Sequence, residues 1–104
     1  RIMDYHTKEK IDKLIDYKED SINAKVLSKK EDCALLLIAL KKNQLMAEHT
    51  SPVDAYLYVI EGAVEYKTKN ESYEIEKGEI FSIKAQESHC VLGKKDSKIL
   101  VVRI

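Results

Sequence analysis

His49-Thr50-Ser51-Pro52-Val53-Asp54-Ala55-Tyr56-Leu57-Tyr58-Val59-Ile60-Glu61-Gly62 and, after a short interval, Gly78-Glu79-Ile80-Phe81-Ser82-Ile83-Lys84-Ala85-Gln86-Glu87-Ser88-His89 carry the fold of this chain. In the first stretch Pro52 and Asp54 end an extended run, because proline has no N–H to give to a strand ladder. Ala55 to Ile60 is strand-like, rich in tyrosine and β-branched residues. Gly62 closes it, and Gly78 opens the second strand-like run, Glu79 to Ile83. The chain has 3 glycines, Gly62, Gly78 and Gly93. Each falls at an expected turn, where a residue without Cβ takes positive φ freely.

The flanking sequence repeats this rhythm. Ile22, Ala24 and Val26 alternate with Asn23, Lys25 and Leu27, a period near two. Lys29 to Asp32 is a polar turn. Cys33 to Leu40 is apolar throughout, so both faces of that strand are expected to be covered. Lys41 to Gln44 is another turn. Leu45, Ala47 and His49 are expected on one face, with Met46, Glu48 and Thr50 on the other. Ala63 to Lys67 and Ser72 to Glu76 read as a hairpin around Lys69-Asn70. His89 to Leu92 and Ile99 to Ile104 complete the set. Short strands spaced by about 8–12 residues indicate an all-β sandwich or barrel. Residues 21–104 are expected to form it. Residues 1–20 are expected to pack against it. There Ile11, Leu14 and Ile15 mark one face of a short helix or turn over Lys8–Tyr17, with Thr7 as its cap. Met3 is read as the natural start, preceded by Arg1 and Ile2.

Composition narrows the function. The 104 residues suit one domain with one core. The 18 basic and 18 acidic residues cancel, which argues against a nucleic-acid or membrane-surface partner. No apolar run approaches the ~20 residues of a membrane span. Cys33 and Cys90 lack metal-type spacing and are expected as free thiols in a cytoplasmic protein.

The two opening stretches resemble the motifs of the cupin superfamily. The first cupin motif reads G-x5-H-x-H-x(3–4)-E-x6-G and the second G-x5-P-x-G-x2-H-x3-N. His49 matches the first histidine and Gly62 the closing glycine. Gly78 opens the second motif, and His89 falls at its histidine. The interval from Ala63 to Lys77 fits the hairpin between motifs. Ser51 stands at the second histidine position and Ala55 at the glutamate position. Lys84, Gln86 and Gly93 replace the proline, glycine and asparagine. The run from His49 to Ala55 is similar to a subgroup of small cupins with an H-T-A/S-P-x-D-A signature. The resemblance implies a double-stranded β-helix, an RmlC-like jelly roll, over nearly the whole chain. It also implies a site at the barrel mouth, and it makes back-to-back dimers an expectation.

A complete cupin site gives three imidazoles and a carboxylate to a divalent metal. Here His49 and His89 are the two candidate ligands that remain, and catalytic zinc sites usually use three. The expected cofactor is therefore none, or a weakly bound Ni, Zn, Fe or Mn ion. Glu48 points away from His49 by strand alternation, and His6 lies outside the motifs. The expected function is binding of a small molecule in a pocket formed by His49, Ser51, Ala55 and His89. Two alternatives stand beside it. One is a metal-dependent enzyme of dioxygenase or isomerase type, using His49 and His89 with waters or a hidden ligand. The other is a ligand-sensing accessory protein without turnover. If Ala55 points inward, Tyr56 and Tyr58 point outward, and they are the expected contact of a homodimer.

Overall fold

The computed structural model of the chain describes residues 3–104. The expectation that Arg1 and Ile2 precede the natural start lies outside the described residues. Nine strands follow one 3-10 turn: β1 Asn23–Lys30, β2 Cys33–Leu40, β3 Leu45–His49, β4 Ala55–Glu61, β5 Ala63–Lys67, β6 Ser72–Glu76, β7 Ile80–Ile83, β8 His89–Gly93 and β9 Ser97–Arg103. They form two antiparallel sheets. One has the order β1-β2-β9-β4-β7 and the other β3-β8-β5-β6. The strand rhythm called for an all-β sandwich or barrel and the cupin resemblance for a jelly roll, and an all-β jelly roll is the fold observed.

The sheets close on one apolar core. Leu57, Val59 and Ile99 of the larger sheet meet Val64, Tyr66 and Val91 of the smaller. Strand alternation produces this directly, since residues two apart share a face. On β2, Leu36, Ile38 and Leu40 belong to the barrel interior. Leu35, Leu37 and Ala39, on the opposite face, belong to a second cluster with Ile11, Leu14, Ile15 and Tyr17. The doubly apolar strand is thus covered within the chain.

The N-terminal segment makes that cover with almost no helix. Only Ile11–Lys13 forms a 3-10 turn; its N-cap residue is Lys10, without a side-chain cap, and not Thr7. A lone helix of this length is marginal, and side chains from the barrel satisfy the segment's carbonyls instead. Lys98 donates to Asp12 at 2.6 Å, Lys25 to Leu14 at 3.0 Å and Asn23 to Asp16 at 2.9 Å. The Tyr17 hydroxyl donates to Glu61 at 2.6 Å, and Lys98 Nζ lies 5.2 Å from the Tyr17 ring centroid.

Two bulges change the simple alternation. In β1 the register shifts between Val26 and Ser28. Leu27 is thereby buried in the second cluster, while Val26 stays exposed. In β3, Met46 pairs with Val91 and His49 with His89. Ala47 and Glu48 therefore oppose Cys90 alone, the extra residue that defines a β-bulge. The expected face of Leu45, Ala47 and His49 is corrected by this. Met46 and His49 both turn inward, and Leu45 faces solvent.

Gly62 joins β4 to β5 with φ of 84°, where any Cβ would run into the Asp96 carbonyl and Ser97. Ser97 is fully buried there and bonds both the amide and the carbonyl of Ala63. Gln86, at the position of a motif glycine, also adopts positive φ, 68°. Its amide donates to the Ser51 carbonyl at 2.8 Å and its side chain to Pro52 at 3.2 Å. These bonds tie the two loops at the barrel mouth and offset the αL strain.

Candidate functional site

β3 and β8 set the site's two imidazoles side by side. His49 and His89 are cross-strand partners, with ring centroids 4.3 Å apart at 60°. His49 Nδ1 lies 2.9 Å from the Ala47 carbonyl, and His89 Nδ1 lies 2.9 Å from the Glu87 carbonyl. A carbonyl only accepts, so each Nδ1 carries the hydrogen and the neutral ring keeps its lone pair on Nε2. His89 is buried and stacks on Tyr66, 4.7 Å between centroids. Tyr66 donates its hydroxyl to Glu87 at 3.1 Å. Burial, with that acceptor, pushes the phenol pKa up. Burial chiefly holds the His89 imidazolium below its ordinary pKa, with His49 and Arg103 acting in the same direction. The Glu87 carbonyl and carboxylate oppose that shift.

Both histidines line a cavity of about 300 Å³ between the sheets. Its walls include Leu36, Ile38, Leu57, Val91 and Val101, and its third polar group is Arg103. Arg103 was not among the expected site residues. The signal for it is alternation along β9, where Ser97, Ile99 and Val101 are buried in turn and Arg103 takes the next inward place. Its neighbours in the sheet are Ala34 of β2 and Ala55 of β4, two small residues that leave room for a guanidinium.

The expected pocket set is only half brought together. His49 and His89 line the cavity, whereas Ser51 and Ala55 do not. Ser51 is buried, but its hydroxyl donates to the Val53 carbonyl at 2.6 Å, within its own loop. Ala55 is 1% exposed and lies across β4 and β9 from Arg103. Glu48 is exposed, as is His6. Cys33 is exposed and Cys90 half-buried, and both are free thiols.

The donor set does not fit a catalytic divalent metal. Two imidazoles face the cavity, and no cluster of three or more His, Cys, Asp or Glu occurs among the described residues. The third polar group of the cavity is a cation, which repels a dication.

The sequence from residues 36–103 matches the family model described as the cupin domain. The chain belongs to the cupin family. This cupin resembles a cupin superfamily protein from Desulfitobacterium hafniense at 13% identity, with a TM-score of 0.90 over 100% of this chain and 95% of that one. It resembles a protein of unknown function from Streptococcus pyogenes at 20% identity, with a TM-score of 0.87 over 99% of this chain and 91% of that one. An RmlC-like cupin from Desulfovibrio desulfuricans matches at 15% identity and a TM-score of 0.81, over 92% and 93%. At such identities these likenesses speak to the fold alone. No curated protein matches this cupin's sequence. Among the described residues, no helix is long and apolar enough to cross a membrane.

Proposed function

We propose that this cupin binds a small molecule in the barrel mouth, with His49 and His89 contacting it directly. The observation that carries this reading is the cavity of about 300 Å³, apolar in its walls, onto which two histidines and an arginine converge. Ligand pockets have this make-up, a largely apolar surface with a few placed polar groups, and this one lies at the small end of their range. Free thiols at Cys33 and Cys90 support a reducing, cytoplasmic setting. The test is a fragment screen read by NMR on the methyl groups of Leu36, Ile38 and Val91. Binders are expected to shift those methyls in the wild type and to lose their effect in Ala47→Trp, at the exposed rim of the cavity. Binders that act equally on both proteins, or that shift only surface residues, reject the reading.

For assembly, we propose a homodimer through the outer face of β4 and β7. Tyr56 and Tyr58 are 36% and 38% exposed there, and Ile80, paired with Tyr58, is 69% exposed. Covering such a row of apolar surface supports self-association. Sedimentation of the wild type against Tyr58→Lys/Ile80→Lys decides it. A species of twice 12.0 kDa that becomes a monomer in the variant is expected. A concentration-independent monomer in both rejects it.

A further inference from the structure

The cavity is lined by one arginine, Arg103, whose Nε is buried and has no hydrogen-bond partner among the described residues. A buried N–H left unpaired destabilises the fold, and more so where the group is charged. The cost is not forced by topology, since Ala34 and Ala55 on either side leave space that an acidic partner could have filled. The guanidinium instead borders a cavity that also contains His49 and His89.

We infer that the barrel mouth is an anion site, in which Arg103 receives the carboxylate of a small monocarboxylic acid whose apolar body lies among Leu36, Ile38, Leu57 and Val91. This inference rests on the small-molecule reading above and adds the ligand's class. Four observations converge on it. The planar guanidinium fork matches a carboxylate in shape and charge. The aliphatic wall that Leu36, Ile38 and Leu57 form on the strands flanking β9 suits a hydrocarbon body and offers no group for a second charge. About 300 Å³ holds roughly ten water-sized groups, the scale of a short-chain acid and not of a nucleotide. The two Nε2 atoms accept a hydrogen bond when neutral, so they suit a hydroxyl on the same ligand. Arginine thus supplies the positive charge of the site.

The experiment uses the full chain, with pentanoate and its uncharged analogue pentanamide as probes, and with xenon as an apolar probe of the cavity. Methyl shifts of Leu36, Ile38 and Val91 report occupancy, and the Arg103 Nε–H resonance reports the contact. Pentanoate is expected to bind at least tenfold more tightly than pentanamide and to move the Nε–H signal. Arg103→Gln is expected to weaken pentanoate at least tenfold and pentanamide by a much smaller factor. Should that variant fail to fold, Arg103→Lys, which keeps the charge without the planar fork, is expected to weaken pentanoate at least threefold. Equal affinity for the two probes, or pentanoate binding indifferent to Arg103, overturns the anion inference and leaves the small-molecule reading intact. A response to xenon without any to pentanoate does the same. Silence of the methyls toward all three probes overturns both.

Discussion

Arg103 on β9 and Ala55 on β4 are direct cross-strand partners on the interior face of the larger sheet. Cβ atoms of such pairs lie about 4.5–5.5 Å apart, close enough to interact. The relationship has a consequence for metal binding. Ala55→Glu restores a carboxylate at the motif position, but the guanidinium opposite takes it as a partner. We therefore expect no gain in Zn²⁺ or Ni²⁺ affinity from Ala55→Glu alone. Ala55→Glu/Arg103→Gln, which frees the carboxylate to join His49 and His89, is expected to gain at least about tenfold as a third ligand enters the set. Isothermal titration of the two variants checks this, and equal affinity in both refutes the pairing.

His89 links the site to pH. Burial holds its imidazolium below the ordinary range, helped by His49 and Arg103 and opposed by Glu87. Tyr66, which stacks on the ring, is uncharged and donates its hydroxyl to Glu87. In the unfolded chain the ring titrates near about 6.5. Above that pH both states carry a neutral ring and the contribution to stability is complete. As pH falls below about 6.5 the unfolded chain binds a proton that the folded chain refuses, so stability drops until the folded pKa is passed. The His89 Cε1–H resonance should titrate below about 6.5. The urea midpoint should fall more between pH 7 and pH 5 in the wild type than in His89→Gln. A His89 pKa at or above the ordinary value defeats this.

Tyr66 is the largest fully buried side chain, and its hydroxyl reaches out of the core to Glu87. Tyr66→Phe keeps the ring stack on His89 and Phe81 but removes that bond. A loss of about 0.5–1.5 kcal/mol is expected, the net worth of one such bond. Tyr66→Ala empties the core and should cost about 3–5 kcal/mol. Chemical denaturation measures both, and equal losses would mean the hydroxyl carries the whole effect.

The N-terminal segment is a structural cover and its removal should be felt in the barrel. Ile15 is buried against Leu27, Leu37 and Ala39. Ile15→Ala is expected to lower stability by about 2–4 kcal/mol, as for other large-to-small core changes. Hydrogen exchange should then rise along β1 and β2 before it rises along β8. Uniform acceleration across all strands would show that the cover is not a separate layer.

The sequence was legible where one local rule decided the outcome. β2, β5 and β6 begin and end where apolar patterning and polar turns put them. Gly62 and Gly78 take positive φ as turn residues do. Ile11, Leu14 and Ile15 pack as their spacing suggests, although the helix they implied shrinks to Ile11–Lys13. That discrepancy has a physical reason. Spacing says which residues are buried, whereas helix or extended chain depends on what else satisfies the backbone, and here Lys25 and Lys98 on the barrel supply those bonds.

By itself, then, the sequence determined the jelly roll, its strand boundaries to within a few residues, and the convergence of His49 with His89. The strand boundaries follow from period-two burial and from turn chemistry, both of which act between neighbours along the chain, whereas the jelly roll and the histidine pair follow from the likeness to the cupin motifs. Only the tertiary structure decided the rest. A one-residue bulge at Ala47–Glu48 turned Met46 and His49 to the same face, and no local signal marks such an insertion. Arg103 entered the cavity because β9 lies between β2 and β4, with an alanine on each side. The Ser51 hydroxyl was drawn into its own loop by the Val53 carbonyl. The charge of the site was therefore set by contacts between residues far apart in sequence, which only the closed barrel brings within reach.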